Sequence, residues 1–141
     1  MKLFIINFKV YLMPITFLNP SNAPKPAGNY SNVAVIPSGK KLLSISGQIG
    51  NDIDGNVAES LEDQYLLALK NIKLIVESQG GSKEDIAKIT VFSIDEPEWL
   101  KIRSASDEFL PTPRPSMSFI YVKGLFRPEI KVEIEALAAV D

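Results

Sequence analysis

Arg127-Pro-Glu-Ile-Lys-Val-Glu-Ile-Glu-Ala-Leu-Ala138 alternates strictly, so that Val132, Ile134 and Ala136 fall on one face of an extended strand and Glu133 and Glu135 on the other. One face is built for a core and the other carries two carboxylates. Upstream, residues 116–122 read as a further strand, and a turn containing Gly124 and Pro128 separates the two runs. Residues 88–94 read as a third strand. Between strands the period lengthens: Leu61, Tyr65, Ala68, Leu69, Ile72, Ile75 and Val76 recur at three- and four-residue steps, which predicts an amphipathic helix. Ser60 with Asp63 resembles a capping box at its start, and Gly80-Gly81 supplies a left-handed stop. Asp95 and Pro97 announce a second helix that carries Trp99, Ile102, Phe109 and Leu110 toward the core, and Pro111, Pro113 and Pro115 end it.

Nearer the start, residues 15–18 predict a short strand, followed by an irregular connection through Pro20, Pro24, Pro26 and Gly28. Runs 30–36 and 41–46 flank Pro37-Ser38-Gly39-Lys40, a spacing that predicts a hairpin. Asn51-Asp-Ile-Asp-Gly-Asn56 has some look of a calcium loop. It lacks the later oxygen ligands and closing Glu, so it reads as a turn. Strands, helix, strand, helix, strands together predict an α+β, two-layer domain: one mixed sheet with two helices on one face. The other face is then uncovered, and an exposed apolar sheet face calls for a partner, here other copies of the chain.

With 141 residues and 45% hydrophobic content, one domain is expected. Residues 1–12 read as an N-terminal extension, with the domain spanning 13–141. Lys2 and Ser21-Asn-Ala23 would suit a secretory signal, but Asn7, Lys9 and Pro14 interrupt the apolar run, so the expected compartment is the cytoplasm. The same interruptions argue against a membrane span. Net charge is -2 with the signs interspersed, which disfavours nucleic acid as a partner. Cysteine and histidine are both absent, which removes thiolate nucleophiles, the usual zinc ligands and the ordinary proton shuttle. Acid–base chemistry falls to Asp, Glu, Lys, Tyr or bound water. No motif requires a metal or cofactor.

Ala23-Pro24, Gly28-Asn-Tyr-Ser31, Ser46-Gly-Gln48, Gln64 with Ala68-Leu-Lys-Asn-Ile72, Lys88-Ile-Thr-Val-Phe92 and Val132-Glu-Ile-Glu-Ala-Leu-Ala138 fall in one order and spacing. In this pattern the chain resembles the RidA/YjgF family, also called endoribonuclease L-PSP or reactive-intermediate imine deaminase. The resemblance implies a chorismate-mutase-like domain assembled as a homotrimer, with a small-molecule cleft at each subunit interface. It also implies hydrolysis of imines or enamines with release of ammonia. On this pattern Glu133 orients water, while Tyr30 and Ser46 line the cleft. The family's carboxylate-clamping arginine falls on Met117, Arg103 stands where many deaminases carry Asn, and Phe119 joins the substrate-facing set.

Each residue also has a plainer reading. Glu133 alone is an ordinary strand carboxylate, Tyr30 a surface β-former and Ser46 a hydrogen-bonding group with no histidine to activate it. Arg103 lies one turn after Trp99 and would lay its stem over apolar surface; Arg114, between two prolines, reads as an exposed loop arginine or a second cleft cation. Three functions follow: a RidA-like hydrolase lacking the clamp arginine, a trimer that binds a ligand without turnover, and, least favoured, an endoribonuclease.

Overall fold

A computed structural model describes residues 13–141. The expected extension at 1–12 lies outside the described residues. In chain order the strands are β1 (Thr16–Leu18), β2 (Val33–Val35), β3 (Lys41–Ile49), β4 (Ile86–Ser93), β5 (Ser116–Tyr121) and β6 (Val132–Val140). The helices are α1 (Leu61–Ser78) and the single turn α2 (Trp99–Ile102). β3, β6, β4 and β5 form the main sheet in that order. β6 runs antiparallel to both β3 and β4, while β4 and β5 are parallel, which makes the sheet mixed.

The alternation in β6 decides its orientation. Val132, Ile134, Ala136 and Ala138 are buried in the main core, whereas Glu133 is half-buried and Glu135 exposed on the opposite face. Leu69, Ile72 and Val76 of α1 cover that core face, packing with Ile89 and Val91 of β4. Each such side chain contributes about 1.5–3 kcal/mol on burial, so the stripe fixes which side of the sheet the helix takes. Ser60 caps α1 by accepting the Asp63 N–H at 3.0 Å. At the other end Gly80 takes φ +83°, and the N–H groups of Gly81 and Gly80 donate to the carbonyls of Val76 and Glu77, the bonding of a Schellman stop.

Three expectations are corrected. The first concerns the hairpin: β2 and β3 belong to different sheets, β2 pairing only with β1 while β3 pairs along its length with β6. Pro37 offers no N–H to continue a ladder, and Gly39 at φ +92° redirects the chain. The second concerns the single sheet with an open face. Ile15, Phe17, Ala34 and Ile36 of the two-stranded unit pack on Ala87 and Ala139, so part of that face is covered, while Leu42 (59% exposed) and Ile120 (42%) remain open.

The second helix is the third correction. It breaks after one turn and resumes as a 3-10 turn at Ala105–Glu108. The Arg103 carbonyl accepts from the Arg114 guanidinium at 3.1 Å, and the Asp107 N–H turns instead to Ser104. A tertiary bond has taken the acceptor that an α-helix would have used. Of the expected inward residues Ile102, Phe109 and Leu110 are buried, and Trp99 is half-buried against the core. The segment 51–56 is the turn its sequence suggested, with Asp52 accepting from the N–H groups of Asp54 and Asn56 and Gly55 at φ +88°. Among the described residues no helix is long and apolar enough to cross a membrane.

Candidate functional site

A cavity of about 660 Å3 lies between β5, α2 and the loop around Gly28 to Tyr30. β5 is an edge strand, and its core-side residues Met117 and Phe119 form one wall. Trp99 opposes them, with its ring 5.2 Å from that of Phe119 and tilted by 60°, and Tyr121 continues the edge-on stack at 5.3 Å. The loop is held in place by long-range bonds: the Ser31 hydroxyl donates to the Arg114 carbonyl at 2.7 Å and the Ser31 N–H to Pro115 at 3.1 Å. Tyr30 is thereby fixed against the start of β5, its hydroxyl accepting the Ala27 N–H at 3.1 Å.

Five of the seven residues singled out from the sequence line this one cavity: Tyr30, Arg103, Arg114, Met117 and Phe119. Arg103 is exposed and stands at the rim. Arg114 differs from the exposed loop arginine expected, being only 8% exposed. Its guanidinium donates to the carbonyls of Pro111 and Arg103 and to the Asp107 carboxylate, so it braces the cavity from behind.

Ser46 and Glu133 are elsewhere. Ser46 is exposed at an irregularity in β3 between Ile45 and Gln48. Glu133 pairs across the sheet with Ile49 and Phe92 on the face away from α1. Its carboxylate lies over Gly47, where any Cβ would overlap it. A side chain at position 47 would displace this acid, which accounts for glycine there. Glu135, two residues on, borders a smaller groove of about 200 Å3 with Lys88 and Ser44. Among the described residues no cluster of carboxylates could hold a metal ion.

Tyr65 and Trp99, read from the sequence only as core residues, also line the cavity. The available signal was chemical, since a tyrosine on a buried helix stripe needs somewhere to put its hydroxyl. Burial pushes the Tyr65 phenol up to about 12, with the Arg114 charge opposing the rise. A folded-state value above the ordinary 10.0 stabilises the protein fully below pH 10, and that stabilisation is lost as pH climbs toward about 12. The unfolding free energy of wild type relative to Tyr65→Phe is therefore expected to stay constant up to pH 10 and to fall above it. Urea denaturation at pH 8 to 12 checks this, and a difference independent of pH would contradict it.

A mixed sheet backed by helices, with an aromatic-walled cavity at its edge strand, defines a two-layer α+β protein with a candidate small-molecule site. The Endoribonuclease L-PSP family profile matches residues 20–140, and the chain belongs to that family, the RidA/YjgF family. A RutC family protein of Pyrococcus horikoshii is 36% identical over 121 residues, covering 83% of this chain and 91% of that protein. The 2-iminobutanoate/2-iminopropanoate deaminase of Dermatophagoides farinae is 27% identical over 132 residues, covering 92% of this chain and all of that one. The crystal structure of E. coli TdcF with bound serine superposes with a TM-score of 0.63 at 31% identity, over 89% of this chain and 99% of that chain.

Proposed function

We propose that this protein is a small-molecule hydrolase of the imine or enamine deaminase type, working as a homotrimer in the cytoplasm. The observation that carries the reading is the convergence of Tyr30, Arg103, Met117 and Phe119 on one cavity beside an edge strand. Kinship with a 2-iminobutanoate/2-iminopropanoate deaminase and with TdcF, whose crystal structure holds bound serine, supports the substrate class. Water adds to the imine carbon, the carbon–nitrogen bond breaks, and nitrogen leaves as ammonia with protons drawn from water, giving a ketone. Glu133 orients and deprotonates that water. Because Glu133 lies on the open sheet face, the reaction needs a neighbouring copy to bring that face to the cavity. Exposed Leu42 and Ile120 give the face apolar surface for such an assembly.

At the family's clamp position Met117 offers a thioether where a guanidinium would grip a carboxylate with two parallel bonds. Turnover of amino-acid-derived imines is therefore expected to be weak. Ammonia release from freshly generated 2-iminopropionate tests this: wild type gives slow release, and Met117→Arg lowers KM by about 10- to 100-fold, the worth of a charged hydrogen-bonded contact. No release from either protein defeats the hydrolase reading. A second reading, ligand binding without turnover, is favoured by the separation of Glu133 from the cavity, and it gains if only Met117→Arg releases ammonia. RNA cleavage finds less support in a chain of net charge -2 without histidine.

A further inference from the structure

The cavity is of a size that ordinary ligands fill, and Trp99, Phe119, Met117 and Ile89 make its walls apolar. Specificity must then come from the few polar groups that reach it. Most of these are already engaged by the protein. The Ser106 hydroxyl donates to the Ile102 carbonyl at 2.6 Å, the Trp99 indole N–H to Glu96 at 3.1 Å, and the Tyr30 hydroxyl accepts from Ala27. Arg114 spends its guanidinium on Pro111, Arg103 and Asp107.

Among the buried polar groups of the cavity Tyr65 is the exception, whereas Arg103 and Asn29, whose side chains also lack protein partners among the described residues, are exposed. It projects from α1 into the floor of the cavity, is 4% exposed, and its hydroxyl has no hydrogen-bond partner among the described residues. Among the described residues no buried polar side-chain atom is both inaccessible and unpaired, so the Tyr65 hydroxyl opens onto the cavity itself. Open to the cavity and free of protein partners, this hydroxyl is placed to donate to a ligand oxygen. The phenol stays protonated through the physiological range and presents a proton, as a donor does. The nearby Arg114 charge is offset by Asp107, which leaves the floor without net charge.

Resting on the reading of this cavity as the ligand site, we infer that Tyr65 anchors an uncharged carbonyl oxygen, of the ketone or amide kind, on a ligand whose apolar body packs between Trp99, Met117 and Phe119. The carbonyl lies deepest, against the hydroxyl, and the apolar body fills the aromatic walls above it. Arg103, exposed at the rim, is outside this contact.

Acetophenone and ethylbenzene are similar in shape and differ in the oxygen, and the indole cross-peak of Trp99, the single tryptophan, reports occupancy in an NMR titration of the full chain. Wild type is expected to bind acetophenone about 2- to 12-fold tighter than ethylbenzene, the worth of one neutral hydrogen bond. Tyr65→Phe abolishes that preference, keeps the affinity for ethylbenzene and melts no lower than wild type. Equal binding of the two compounds by wild type, or a preference that survives in Tyr65→Phe, overturns the anchor while leaving the cavity a ligand site. Failure of both compounds to shift the cross-peak overturns the anchor and the ligand site together. Benzoate is the third arm: if it outbinds acetophenone and loses that advantage in Arg103→Gln, the site takes anions and the inference falls. Should Tyr65→Phe not fold, NOEs from the acetophenone methyl to the Tyr65 ring in wild type decide, and their absence overturns it.

Discussion

Replacing Gln64 with Leu is expected to cost about 3–5 kcal/mol of stability, the largest loss among the single substitutions considered. Gln64 is fully buried on α1, and its amide joins three segments at once. Its Nε2 donates to the carbonyls of Ala58 at 2.8 Å and Glu129 at 2.9 Å, while its Oε1 accepts the Lys131 N–H at 2.8 Å. Leu fills a similar volume but strands two carbonyls and an N–H in the interior, each at a desolvation cost of about 1–3 kcal/mol before relaxation. Because Glu129 and Lys131 immediately precede β6, the loss would loosen the approach to Glu133 as well. Thermal unfolding should fall by roughly 10–20 °C for a chain of this size. A fall of a degree or two would show that the three segments are held by other contacts.

Glu133→Gln is expected to reduce ammonia release by about 100- to 10,000-fold, the usual worth of a positioned general base. Gln keeps the shape that lies over Gly47 and removes the basicity. Among the described residues the Glu133 carboxylate takes part in no salt bridge with any of the paired lysines and arginines, so stability should change by less than about 0.5 kcal/mol. Activity lost at unchanged melting temperature is the signature to seek. Turnover that persists in this variant would remove Glu133 from the mechanism and shift the role to bound water or to another carboxylate.

Helix α1 and strand β6 were legible because their information is local. A core stripe repeating every three to four residues, a serine cap and a glycine stop define α1 with little help from the rest of the chain. The order of short motifs singled out Tyr30, Arg103 and Met117, which the fold brings to one cavity. Arg114 was misread because burial depends on neighbours: the carbonyls of Pro111 and Arg103 that receive it are brought close only when the segment after α2 folds back.

The alternation of β6, the period of α1 and the absence of histidine and cysteine belong to the sequence itself, since backbone geometry turns spacing into faces and composition limits chemistry. The tertiary structure decided the rest: that β3 joins β6 instead of β2, that Arg114 breaks the second helix, and that the Tyr65 hydroxyl opens into a cavity while Glu133 faces the other way. Those outcomes turn on contacts between residues far apart in the chain, where partners compete for the same hydrogen bonds and the same space, and no local pattern records which of them wins.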